Sequence, residues 1–277
     1  MNGRKGATVD LRQNEAMIGG LVGALASGAL AVIMWLTSFS WIGVAAMAAL
    51  VIVGYILSGV LVGRSAGEFF RGFLVGANAA ANAALGIVVY GALFGTTVGV
   101  VAGLLLGVVN LLAVLPPLST GEAFQGLLGW INFLLPMSWL VTGLGFLFLL
   151  ASAIGTLFAG RGAAAAGTPP FLKITRFVPD WKTGTFFVRG GFVANLNPLT
   201  GSAFNMGNFA FAKRDAPADM HLEHEAGHTL NLAAFGSLFH FVGAIDENVT
   251  GGGANAFAER LAESNNSAGS SVVKMWI

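Results

Sequence analysis

The run GFLVGANAAANAALGIVVYGALFGTTVGVVAGLLLGVVNLLAVLP, Gly72 to Pro116, holds no charged residue in 45 positions. As one helix it would be about 65 Å long, roughly twice what a hydrocarbon core of about 30 Å needs. Two readings are open. Either Gly72 to Ala84, with Asn78 and Asn82, is a helix buried against protein, or two spans meet near Gly91 to Gly99. Pro116-Pro117 ends the run, because proline cannot continue a helix. Inside it, Gly99-x3-Gly103-x3-Gly107 forms a small-residue stripe that lets helices approach closely. Asn78, Asn82 and Asn110 are expected to bond between helices rather than to a substrate.

The same character extends outward. Between Ala16 and Gly160 the only charged residues are Arg64, Glu68, Arg71 and Glu122. Ala16–Leu36 and Trp41–Gly63 are each long enough to span, with a turn at residues 37–40. A fourth apolar block, Gly126–Phe158, is interrupted by Pro136, so that Met137–Phe158 is the span and the segment from Glu122 is interfacial. The expectation is an α-helical membrane bundle of four main blocks, with four to six spans. With four spans, the tail 1–15 (Arg4, Lys5, Arg12), the 64–71 connector and Arg161 fall on one side, which the positive-inside rule makes cytoplasmic. Both termini are then cytoplasmic.

The chain as a whole is 55% hydrophobic and 10% charged, against about 25% charged in ordinary soluble domains. Its net charge of +1 and scattered Lys and Arg argue against nucleic-acid binding. With no cysteine, any transition-metal site must use histidines and carboxylates. No Asp, Glu, Lys or Arg sits mid-span, which disfavours an ion-coupled transporter.

A linker at 161–170 leads to a more polar segment, 171–277, expected to be a small α+β domain. Strands are expected at Phe171–Phe177, Thr185–Asn195 and Ala203–Ala212, with a turn around Pro179-Asp180. A helix follows over about Met220–Leu232, capped near Asp219, then an apolar stretch Phe235–Ile245, a last helix over about Asn255–Glu263, and a closing strand at 272–277.

All four histidines, His221, His224, His228 and His240, lie within this segment. His224-Glu225-Ala226-Gly227-His228 is an H-E-x-x-H motif. At i and i+4 two imidazoles share a helix face and can both reach one Zn²⁺, while Glu225 turns to the open side of the metal as a general base. A third ligand is needed. Glu259 is the first candidate, with Glu263 one turn on as its outer-shell partner; Glu247 is the alternative, and His240 a further one. His221 can reach the site rim.

The residues HEAGHTL, Phe235-Gly236, Phe239 and A-E-R-L-A-E (Ala258–Glu263) resemble the gluzincin zinc metallopeptidases. The likeness is to membrane-bound members with E-x-x-x-D on the second helix and to uncharacterised bacterial H-E-x-G-H-T proteins. It covers about residues 203–263, with Glu263 standing where the family has Asp. It implies a zincin-like domain with zinc on His224, His228 and Glu259, Glu225 as catalytic base and Glu263 against a ligand histidine. A domain tethered to the bilayer is expected to hydrolyse membrane or membrane-proximal proteins, at a bacterial inner membrane, and the charge pattern puts the motif on the cytoplasmic side. A peptide would pair with a strand near 203–212. The competing expectation is a non-catalytic membrane protein, or a subunit of a complex or oligomer, whose zinc site only holds the chain together.

Overall fold

The computed structural model describes residues 3–37, 41–119, 121–161, 172–196, 203–216, 222–250 and 252–263. Most of the linker 161–170, the cap near Asp219, His221 and the closing strand 272–277 lie outside them. Four long helices come first: α1 (Gly3–Leu36), α2 (Trp41–Val60), α3 (Ser65–Phe94) and α4 (Thr96–Leu111). Short helices α5 (Pro116–Ser119) and α6 (Glu122–Ile131) lead to α7 (Trp139–Arg161). Then come β1 (Ile174–Asp180), β2 (Thr185–Gly190), α8 (Phe192–Leu196), β3 (Ala203–Met206) and β4 (Phe209–Ala212), and finally α9 (Leu222–Asn248) and α10 (Phe257–Glu263).

The uncharged run is two helices. Gly95, at φ 96°, breaks it between α3 and α4 in a conformation that side-chain-bearing residues rarely adopt. The two then pack along the expected stripe: Gly99 lies against Gly91, and Gly103 and Gly107 against Ala83 and its neighbours on α3. The α1–α3 contact is as close. A Cβ on Gly72 would strike the Ala16 carbonyl, and one on Gly76 the Gly20 carbonyl. Leu21, Leu25, Val32, Val101, Leu104 and Leu105 point away from these seams and are exposed, as lipid-facing side chains are.

Six helices are long and apolar enough to cross a membrane: Asn14–Leu36 of α1, α2, α3, Thr96–Val114, Pro136–Ala159 and Glu223–Asn248. The chain is therefore read as an integral membrane protein. Five of them precede α9, where the grouping of Arg161 with the tail assumes four. Arg71 is not a loop charge either, being buried in α3 and paired with Glu68.

The sixth is folded in two. Gly236 has φ 83° and ψ 173° inside α9. On a straight helix His228 and His240 would be about 18 Å apart along the axis. Their ring centroids are 6.2 Å apart. Asn205 also touches both the Glu225 carbonyl and His240. The two halves of α9 form a hairpin with Gly236 at its tip. A Cβ there would strike the Asn78 side chain.

The tip docks on the bundle through amides. Asn78 Nδ2 donates to the Ala234 carbonyl (3.0 Å) and Asn110 Nδ2 to the Ala233 carbonyl (2.9 Å), while Asn78 and Asn82 both donate to Asn110 Oδ1. These carbonyls end the first half of α9 and have no partner within it, so the bundle caps the helix. The three asparagines do bond between helices. Tyr55, Leu74, Leu106, Phe235, Phe239, Phe257 and Leu261 form one core, so α9 and α10 are packed with α2, α3 and α4.

The strands form a mixed four-stranded sheet in the order β1-β2-β4-β3, with β2 and β4 parallel. The expected strand over 203–212 is a hairpin, β3 and β4, turning at Gly207 and Asn208. Pro179 and Asp180 are inside edge strand β1, paired with Phe186 and Thr185; the turn is Trp181–Gly184, where Asp180 Oδ1 accepts from the Lys182 amide and Gly184 supplies φ 67°. The sheet has its own small core of Val188, Phe209 and Phe211 against Phe148 and Leu149 of α7.

Candidate metal centre

The first half of α9 holds His224 and His228 one turn apart, their rings 4.8 Å between centroids. Their Nε2 atoms face each other at 3.1 Å. Glu259 of α10 completes the group: Oε2 is 3.1 Å from His224 Nε2 and Oε1 is 3.1 Å from His228 Nε2. An ion bound tetrahedrally at about 2.0–2.1 Å would hold its ligand atoms about 3.3 Å apart, close to these separations. Two imidazole nitrogens turned toward each other and toward a carboxylate suit a shared cation. Among the described residues, these three form the group that can hold a metal ion.

Around this group lie the other residues that the sequence singles out. Glu263 Oε2 is 3.1 Å from His224 Nδ1, on the far side of that ring from Glu259. Glu225 is 5% exposed, and its Oε2 has no hydrogen-bond partner among the described residues. Glu247 lies in the second half of α9 and lines the same cavity, outside the three-residue group. His240 Nε2 is 3.1 Å from the Asn205 carbonyl, so that nitrogen is its protonated donor. Burial raises the Glu259 carboxyl pKa, and hydrogen bonds from His224 and His228 outweigh this, holding it well below the usual carboxylate range.

Two features that place these side chains were not legible in the motif. The first is a knot that seats α10. Asp246 Oδ2 accepts from the Tyr55 hydroxyl (2.7 Å) and the Phe257 amide (3.1 Å), and the Tyr55 oxygen accepts from the Ala258 amide (3.2 Å). Asp246 thus caps α10 two residues before Glu259, and Arg260 adds a bond to the Gly59 carbonyl of α2. The second pins the β3–β4 hairpin beside the motif. Thr229 Oγ1 donates to the Gly207 carbonyl (2.7 Å) and accepts from Asn205 Nδ2 and Thr185 Oγ1. Aspartate at 246 and tyrosine at 55 are 191 residues apart, which no local pattern relates.

The group opens on a cavity of about 770 Å³, within the range of small-ligand and peptide sites. Its walls come from α7, α8, β3, α10 and both halves of α9, and they are mostly apolar: Phe148, Phe192, Phe204, Met206 and Phe239. Strand β3 is the sheet edge beside it, as the expected peptide-pairing strand should be, but its Asn205 carbonyl is already engaged by His240. No protein-family model, curated protein or solved structure matches this chain.

Proposed function

We propose that this chain is an integral-membrane zinc metallopeptidase of the gluzincin kind, hydrolysing peptide bonds of membrane or membrane-proximal proteins. The observation that carries the reading is a single one. The His224, His228 and Glu259 ligand atoms converge at 3.1 Å in a cavity that also holds the unpartnered, buried Oε2 of Glu225.

Bound there, zinc supplies Lewis acidity toward a substrate carbonyl and acidifies water. Glu225 Oε2 takes the proton of the attacking water and returns it to the leaving amine nitrogen. Glu263 bonds His224 at Nδ1, which leaves Nε2 as the nitrogen free for the metal. Its extra methylene relative to Asp does not prevent that contact. The apolar walls shed water from the reacting centre and receive apolar side chains. The Glu259 helix is seated on the last turns of α2, at Tyr55 and Gly59. Two spans separate that end of α2 from the tail with Arg4, Lys5 and Arg12, so both fall on one side. By the positive-inside rule this is the cytoplasmic face.

The test is cleavage of casein and of a membrane protein in proteoliposomes by the wild type and by Glu225→Gln. We expect cleavage by the wild type and a loss of about 10³-fold or more in the variant, with zinc retained in both. Zinc in both with cleavage by neither would leave a metal site that is structural only.

A further inference from the structure

His224, His228 and Asn231 stand at i, i+4 and i+7 of α9, so the three side chains follow one face of the helix. The first two meet Glu259. The third lies one turn further toward Gly236, in the wall of the same cavity. Asn231 is 2% exposed, yet neither its Nδ2 nor its Oδ1 has a hydrogen-bond partner among the described residues. The bundle's amides behave otherwise: Asn78, Asn82 and Asn110 each donate at 3.1 Å or less. A buried carboxamide open at both ends has lost its water without gaining a bond, which proteins seldom tolerate away from functional sites. Phe204, Met206 and Phe239 line the cavity with it, and the polar groups there, Glu225, His228 and His240 among them, make no hydrogen bond to it.

A carboxamide presents one donor and one acceptor side by side, the complement of a peptide group. We infer that Asn231 is a substrate-binding residue. Its Nδ2 donates to a main-chain carbonyl of an apolar peptide, and its Oδ1 accepts from a main-chain N–H. One helical turn from His228 is about 5 Å, or one to two residues of extended chain, so the peptide group held is one to two residues from the bond that is cut. This adds to what the β3 edge offers, where the Asn205 carbonyl already accepts from His240. The inference rests on the peptidase reading and names how its substrate is held.

The test uses the full-length, zinc-loaded protein in detergent micelles and two probes. Acetohydroxamate carries a metal-binding group alone, and an N-blocked Phe-Leu hydroxamate adds an apolar peptide. Asn231→Leu keeps the volume and removes both polar atoms. We expect the variant to bind acetohydroxamate as the wild type does, to bind the peptide hydroxamate about tenfold more weakly, and to melt no lower. Equal affinity of both proteins for the peptide hydroxamate would overturn the inference. So would a parallel loss of both probes with a lower melting point, which marks a structural role. Failure of acetohydroxamate to bind the zinc-loaded wild type would instead sink the metallopeptidase reading, and this inference with it.

Discussion

The buried amides of the bundle and the buried polar groups of the cavity are of the same chemical kind and live by different rules. The amide nitrogens of Asn78, Asn82 and Asn110 are all spent on carbonyls and on one another, with Asn78 Oδ1 the one atom of the three side chains left open, and they fix the tip of the α9 hairpin at a depth of about 20 Å along α3. Glu225 and Asn231, on the first arm of that hairpin, which leads to the tip, are also buried and keep atoms without protein partners. A polar group that is satisfied holds structure together. One that is left open at a cost to stability is the stronger sign of chemistry or binding.

That difference can be broken at several points. Gly236→Val should be the most damaging, since it forces a branched side chain into φ 83° and into the Asn78 amide. A loss of about 3 kcal/mol or more is expected, read as a fall in melting temperature in detergent. Asn110→Leu should follow, at about 1–3 kcal/mol, because it strips the Asn82 amide of its acceptor and leaves the Ala233 carbonyl with only the longer bond from Asn78. Tyr55→Phe touches neither the metal ligands nor the hinge. It removes the hydroxyl that ties Asp246 to the Ala258 amide, so Glu259 should be held less firmly and zinc affinity should drop about tenfold in a chelator competition. Asn231→Leu should change stability least, within about 0.5 kcal/mol, since it breaks no bond within the protein. If it cost as much as Asn110→Leu, the contrast between the two regions would collapse.

The sequence carried much of this and missed specific parts. Hydropathy placed the four apolar blocks before residue 160 but not the sixth apolar helix, Glu223–Asn248, and the glycine spacing pointed to a close helix seam, which is that of α3 and α4. The split at Gly95 was one of two open readings, because periodicity alone cannot locate a break between two apolar helices. Spacing put His224 and His228 on one helix face, and the fold brings both against Glu259. The fold-back at Gly236 was not legible: a glycine inside an apolar helical pattern is usually tolerated, and only the Asn78 contact shows why this one must turn. Nor was the packing of α9 and α10 into the same core as α2, α3 and α4, since the polar composition after residue 160 gives no hint of which apolar faces meet. The Tyr55–Asp246 knot is invisible for the same reason. Asn231 was in plain view three residues past the motif, but its meaning depends on burial and on missing partners, which only coordinates supply.

The central claim is that His224, His228 and Glu259 together hold a metal. Metal analysis of the detergent-purified full-length protein and of Glu259→Ala tests it most directly. One zinc per chain in the wild type, and its loss in the variant with the fold retained by circular dichroism, is the expected result. A wild type that takes up no zinc, or a Glu259→Ala protein that keeps it as tightly, would contradict the account.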